Sequence, residues 1–318
     1  MPPSSTYEEL FGSGEFRERP LVSVIIPVFN RPKSLTVALR SVFAQTFSDW
    51  EVIVVDDASS DDSAEVGLQI GPPGKVRVIR HKRNQGPSAA RNTGVLAARG
   101  RYVSFLDSDD SWHPEKLRRQ IEMVEADSDP SMVFCVTQTV TFREGSRVRV
   151  SPERAPFEGE PWSEFLYVNG GCAQTNSFLL SRELALRIGF QPPHEDHLFF
   201  LKAGALGARY RLVTEPLSNW NDDLRADRLT HCANLLQSLS YLKEADGLLT
   251  EKARLAFEVR ILGPLLLKSS PVQAMKLFKT ALEKGAVLHR HLLSVWARSF
   301  LPTPAVAKLR RIFSSFAG

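Results

Sequence analysis

Apolar residues fall into two kinds of run over the first hundred positions. "LVSVIIPVFN" (21–30) and "WEVIVVDDAS" (50–59) are continuous, β-branched stretches that end in polar residues, the pattern of strands buried on both faces. "KSLTVALRSVFAQTF" (33–47) instead sets Leu35, Leu39, Val42 and Phe43 at helical spacing. "SSDDSAEVGLQI" (59–70) opens on N-capping residues and predicts a helix, and "KVRVIRHK" (75–82) alternates as a short strand. "GPSAARNTGVLAAR" (86–99) predicts a helix from Gly-Pro to Gly100, and "RYVSFLD" (101–107) a fourth strand. This alternation with short links predicts an α/β fold, a mostly parallel sheet flanked by helices.

The pattern changes after about residue 113. "HPEKLRRQIEMVEAD" reads as an amphipathic helix, "SMVFCVTQTVTF" (131–142) as a strand, and residues 143–161 as a turn-rich excursion. A glycine loop, a strand and a helix follow in 169–190, then a helix opening on acids (192–206) and a last strand (210–222). Beyond 223 the pattern is helical: 226–246, 249–262, 271–284, about 286–300 and 304–316, with breaks at Gly263-Pro264 and Pro302–Pro304.

Composition narrows the class. The 43% hydrophobic and 24% charged content is that of a globular protein. Cys135, Cys172 and Cys232 are widely spaced, which speaks against a disulfide framework or a structural zinc site. No run of about 18 apolar residues predicts a membrane span. Residues 1–20 are polar and lack a signal-peptide core, so they are expected to be a loose lead-in or a small capping segment, and the expected location is cytoplasmic. Residues 284–318 carry six Lys or Arg and no acid, so the +4 net charge leaves residues 1–283 at −2. Charge confined to one tail, without aromatics interleaved on a sheet, argues against nucleic-acid binding.

Three strand ends deliver polar groups to one edge, where ligands bind in open parallel sheets. Asn30 follows the first strand, Asp56 and Asp57 the second, and Asp107, Asp109 and Asp110 the fourth. Clustered carboxylates need a cation or a proton to offset their repulsion. A divalent ion is one partner, since hard cations prefer carboxylate oxygens and leave positions for phosphate; helix capping is the other reading. No GxxxxGK[ST] loop occurs, so phosphates bound here would be neutralised by metal and by Arg or Lys. "HEDH" (194–197) lacks HExxH spacing. Glu195 and Asp196 suit a carboxylate base at a helix start, and equally acids favoured there by the helix dipole.

The series "VSVIIPVFNR", "VIVVDDASSDDS", "NQGPSAARNTGVLAARGRYVSFLDSDD" and "HEDHLFFLKAG" resembles the family-2 inverting glycosyltransferases of GT-A fold. The resemblance is dense over 21–117, looser to about 222 and absent from the C-terminal third. It implies a GT-A catalytic domain over 21–222, with a nucleotide-binding half to 117 and an acceptor half from 118. A C-terminal helical region then covers 223–318. It also implies a nucleotide-sugar donor, typically a UDP-sugar, with Mn2+ or Mg2+, and inversion at the anomeric carbon. By the family pattern Pro27, Phe29 and Arg31 border the nucleoside, Asp57 contacts the base, and Arg91 lies toward the base and diphosphate. Asp107 and Asp109 match the DXD motif, with Ser108 between them on the donor side. Asp109 is the expected metal ligand, Asp107 faces the ribose or the metal, and Asp196 corresponds to the catalytic base.

The loop 169–177 lies where acceptor contacts are expected, and 219–228, with Trp220, is placed to close over the donor. The basic amphipathic stretch 287–316 suits either an anionic membrane surface or packing on the catalytic domain. The expected acceptor is a saccharide or lipid-linked saccharide; on the membrane reading the lipid-linked one is the natural acceptor and a bacterial surface polysaccharide the natural product. A nucleotidyltransferase-like enzyme and a non-catalytic sugar-nucleotide-binding protein are the competing readings.

Overall fold

The structure, a computed structural model, describes residues 7–11, 19–143, 145–222 and 235–300. Contacts divide the chain into two compact units. One holds residues up to Phe157 together with those from Gly171; the other holds Glu158–Gly170 and the C-terminal helices.

The first unit carries a ten-stranded sheet. Its centre is β2 (Val22–Val28), β3 (Trp50–Asp56), β4 (Val76–His81) and β5 (Tyr102–Phe105), all parallel and in the spatial order β4-β3-β2-β5. Every residue of β2 and β3 is buried, as expected of strands covered on both faces. Helices α1 (Pro32–Phe43), α2 (Ser63–Gln69) and α3 (Pro87–Ala97) link them. Beyond β5 the sheet is mixed. β9 (Phe178–Ser181) pairs antiparallel with β5 and with β7 (Val133–Arg143), and β7 runs parallel to β10 (Arg209–Asn221). Two-residue β6 (Ser111–Trp112) closes that edge against β10. β10 slips register around Pro216, which has no N–H to give the ladder.

Two stretches differ from expectation. The lead-in contains β1 (Tyr7–Phe11), an edge strand antiparallel to β4. Its anchor is Arg77, whose buried guanidinium bonds Glu9 at 2.5 Å and Glu51 at 3.0 Å; one buried arginine thus ties the segment to the sheet. The stretch 143–161 is not all turn: β8 (Ser146–Ser151) forms a hairpin with β7, turned at Gly145 with φ 74°.

Helices α4 (Lys116–Glu125), α6 (Arg182–Ile188) and α7 (Glu195–Ala205) complete this unit. Aromatic packing sets α7: Phe199 stacks on Phe190 with centroids 4.1 Å apart and meets Phe105 edge-on at 5.9 Å. Its first turn is thereby fixed relative to the end of β5. Gly94 lets α3 settle on β2, since a Cβ there would lie 2.4 Å from the Ile25 side chain.

The second unit packs α5 (Trp162–Tyr167), α8 (Leu235–Glu244), α9 (Glu251–Ile261), α10 (Gly263–Ser269), α11 (Pro271–Glu283) and α12 (His289–Phe300). The Tyr167 and Tyr241 hydroxyls share a 2.5 Å hydrogen bond, and both rings pack on Phe257. The predicted helix 304–316 and the first part of the one predicted over 226–246 lie outside the described residues.

Candidate active site

The carboxyl ends of β2, β3 and β5 lie side by side, and the loops leaving them carry most of the expected residues. After β2, Pro27 is buried within the strand, Phe29 is 44% exposed, and Arg31 reaches to Asp109, Nη1 to Oδ2 2.7 Å. After β3, Asp56 is buried, takes the Ser59 N–H at 3.0 Å and lies 3.2 Å from Arg80 Nε. Asp57 is buried beside it. Its carboxylate accepts the backbone N–H of Gly86 at 2.7 Å and of Gln85 at 2.9 Å, and lies 2.6 Å from His81 Nδ1.

After β5 come the acids. Asp107 and Asp109 are partly exposed, Ser108 is buried, and Asp110 is wholly inside. Asp110 accepts from the Asn176 side chain at 2.7 Å and from the Asn221 backbone N–H at 2.9 Å. Burial, with repulsion from Asp107 and Asp109, pushes its carboxyl well above the usual carboxylate range, against those two hydrogen bonds. Asp110 therefore pins the loop from below while its two neighbours face outward. Asn176 had no distinguishing signal in the sequence beyond a polar residue just before a strand.

Arg91 connects this loop to α7. It leaves α3, is buried, and pairs with Asp107 through Nη2 and with Glu195 through Nη1; Ser88 also donates to Glu195. Burial works against its charge, but Asp107 and Glu195 outweigh that and hold the guanidinium pKa above its ordinary value. Glu195 is thus committed to Arg91 and Ser88. Asp196, the next residue, accepts the backbone N–H of His197 at 2.9 Å, and among the described residues no Lys or Arg forms an ion pair with this carboxylate.

Backbone strain marks the same place. Among the described residues three non-glycines have positive φ: Asn30 (52°), Ala58 (65°) and His194 (51°). They stand next to Arg31, Asp57 and Glu195 respectively, and left-handed backbone held outside glycine concentrates at functional sites. The His194 and His197 rings are parallel, 5.8 Å apart. Burial, then His197, lowers the His194 pKa, with Asp196 opposing. Cys172 lies near Asp196, and burial pushes its thiol up to about 11, so at neutral pH it is a thiol and not a nucleophile. The segment 223–228, expected to close over the donor, lies outside the described residues; Trp220 before it is half-buried at the end of β10.

Among the described residues no group of three or more His, Cys, Asp and Glu is poised to hold a metal. The donor set at Asp107 and Asp109 is nonetheless two carboxylates of one loop, partly exposed and already balanced by two arginines. That fits a hard divalent ion whose remaining positions are filled by phosphate and water.

Comparison with known proteins then places the chain. The sequence model described as Glycosyl transferase family 2 matches residues 23–185, which take in all three strand ends of the candidate site. The chain belongs to glycosyltransferase family 2. It is 32% identical to the amylovoran biosynthesis glycosyltransferase AmsB of Erwinia amylovora over 63% of this chain and 69% of that one. It is 31% identical to the succinoglycan biosynthesis protein ExoO of Rhizobium meliloti over 93% and 88%. With WfgD of Escherichia coli, named as a UDP-Glc:alpha-D-GlcNAc-diphosphoundecaprenol beta-1,3-glucosyltransferase, it shares 38% identity over 33% of this chain and 41% of that one. Family membership makes the protein a glycosyltransferase. Among solved structures it is similar to S. aureus TarS 1–349 in complex with UDP-GlcNAc, with a TM-score of 0.61 at 20% identity over 91% of both chains. It is also similar to the mannosyltransferase PcManGT of Pyrobaculum calidifontis in complex with GDP-Man and Mn2+, with a TM-score of 0.54 at 19% identity over 96% and 83%. The fold is accordingly that of GT-A glycosyltransferases.

Proposed function

We propose that this glycosyltransferase moves a sugar from a UDP-sugar to a hydroxyl of a saccharide or lipid-linked saccharide, with inversion, and that Asp196 is the general base. The observation that carries this is the pairing of Arg91 with both Asp107 and Glu195. It links the donor-side loop to the first turn of α7 and occupies Glu195. The neighbouring Asp196 is left as the carboxylate available to an acceptor.

In the reaction the acceptor oxygen forms a bond to the anomeric carbon as the bond from that carbon to the diphosphate oxygen breaks. Asp196 takes the hydroxyl proton, and the nucleoside diphosphate departs with the bonding electron pair. Asp109 and Asp107 would hold Mn2+ or Mg2+. When bound, the ion supplies Lewis-acid stabilisation of the departing diphosphate. Arg31 and Arg91, which pair with Asp109 and Asp107, would add positive charge on the same side of the site as the departing diphosphate. Asp57 reads the base, Pro27 and Phe29 border the nucleoside, and Ser108 faces the donor. Transfer to an added acceptor hydroxyl, followed by UDP release from UDP-glucose and UDP-N-acetylglucosamine, tests this reading, with Asp196→Asn as the control that should lose it.

The acceptor class rests on the relatives, two named for polysaccharide biosynthesis and one for a diphosphoundecaprenol-linked acceptor. A lipid-linked acceptor implies work at a membrane surface. No described helix is long and apolar enough to cross one. α12 exposes Leu293, Trp296 and Phe300 at helical spacing, in a stretch of sequence that is basic and free of acids. That combination suits peripheral binding to an anionic leaflet. The rest of the expected membrane stretch, 301–316, lies outside the described residues.

A further inference from the structure

Asp57 is held more tightly than a residue that only closes a turn. Two of its donors, the N–H groups of Gln85 and Gly86, come from the loop before α3 and suffice to fix that loop. The third comes from a separate strand: His81, the last residue of β4 and itself buried, sits 2.6 Å from Asp57 Oδ1 through Nδ1. On the other side of the ring, Nε2 lies 2.9 Å from the Thr93 hydroxyl on α3. Both Asp57 oxygens already accept backbone N–H groups, so Nδ1 donates the ring proton to Oδ1, and Nε2 shares a second hydrogen bond with the Thr93 hydroxyl. Thr93, His81 and Asp57 form a chain of hydrogen bonds.

The chain has a geometric consequence. A carboxylate oxygen has two lone-pair directions. His81 and the Gln85 N–H at 2.9 Å occupy both on Oδ1. Oδ2 takes Gly86 at 2.7 Å and only a longer contact, 3.1 Å, from Gln85. Remaining acceptor capacity is therefore concentrated on Oδ2.

We infer that His81, oriented by Thr93, is the positioning residue that turns Asp57 Oδ2 toward the base of the donor nucleotide and so sets a preference for a base with an imide N–H. The inference rests on the proposed role of Asp57. An acceptor fixed in place favours uracil, whose N3 carries a proton, over cytosine, whose N3 at the same ring position is a bare acceptor. Without His81 the carboxylate keeps its loop contacts but loses its direction.

Calorimetric titration of the full chain with UDP and with CDP, both in Mg2+, tests this, because phosphate and metal contacts are common to the two nucleotides. Wild type should prefer UDP. His81→Leu should raise the UDP Kd about tenfold, the value of one hydrogen bond to a charged group, and erase most of the preference. His81→Asn, which returns an N–H near the place of Nδ1, should restore it to within about threefold, since only the Thr93 link is then missing. Thr93→Val should reduce the preference by a smaller factor, and it carries the test if His81→Leu does not fold. Equal weakening of UDP and CDP in His81→Leu, or none, would overturn the positioning role. Asp57→Asn separates the two levels. If it abolishes the preference while the His81 variants do not, base reading by Asp57 stands and the inference falls. If wild type shows no preference, or Asp57→Asn leaves it intact, base reading fails and takes the inference with it.

Discussion

Glu195, the first residue of α7, is ion-paired with Arg91 of α3, 104 positions earlier in the chain. The pair separates two adjacent acids. Glu195 holds a buried guanidinium, and the proposed role of Asp196 is that of the base that meets the acceptor. Asp196→Asn should therefore reduce kcat by about 10²–10⁴-fold, the usual contribution of a general base, with the donor Kd within about threefold of wild type. Glu195→Gln should instead destabilise the fold and weaken donor binding, because it leaves a buried cation half-paired. Steady-state kinetics beside donor titration separates the two; a kcat loss confined to Glu195→Gln would reverse the assignment.

Asp110 supports the loop that carries Asp107 and Asp109. Asp110→Ala takes the acceptor from the Asn221 N–H and leaves the Asn176 amide with only its longer bond to the Asn219 carbonyl. Urea unfolding should show a loss of about 1–3 kcal/mol, with weaker nucleotide binding although Asp110 itself is wholly buried. Unchanged stability would show that the loop is held elsewhere.

Lys116 is fully buried against Ser104 at 3.1 Å, Gln120 at 2.6 Å and the Trp112 ring, and among the described residues it forms no ion pair with a carboxylate. Burial pulls its pKa well below the ordinary 10.5. Between that lowered value and 10.5 the unfolded chain binds the proton and the folded chain does not, so this group makes stability rise with pH across the window. Lys116→Met should lose that rise and gain relative stability toward neutral pH. Urea midpoints of both proteins at pH 7 and pH 9.5 test it; parallel pH dependence would contradict a neutral buried amine.

The exposed face of α12 predicts binding to anionic vesicles. Co-sedimentation with phosphatidylglycerol vesicles should exceed that with phosphatidylcholine and weaken with salt. Trp296→Ser with Leu293→Ser should lower it severalfold. Equal sedimentation of the variant would remove α12 from the interface.

The central strands and their three polar ends were legible because burial on both faces demands unbroken β-branched runs, and such runs stop where the chain meets solvent. β1 was not, since "YEELF" is half polar and depends on Arg77, a partner nearly seventy residues away. β8 was not, because its residues from Ser146 to Arg149 are exposed and lack an apolar face. Glu195 and Asp196 look alike in local pattern; the family resemblance singles out Asp196, and the structure engages Glu195 with Arg91. His81 and Asn176 were missed for the same reason: their partners lie far along the chain, in the loops after β3 and β5 and on α3, and no local pattern announces them.

The most direct test of the metal-assisted donor site is calorimetric titration of UDP into wild type and Asp109→Ala, each with Mn2+ and with EDTA. The account predicts binding to wild type that is lost in EDTA and in the variant. UDP binding of equal strength with and without Mn2+ would contradict it.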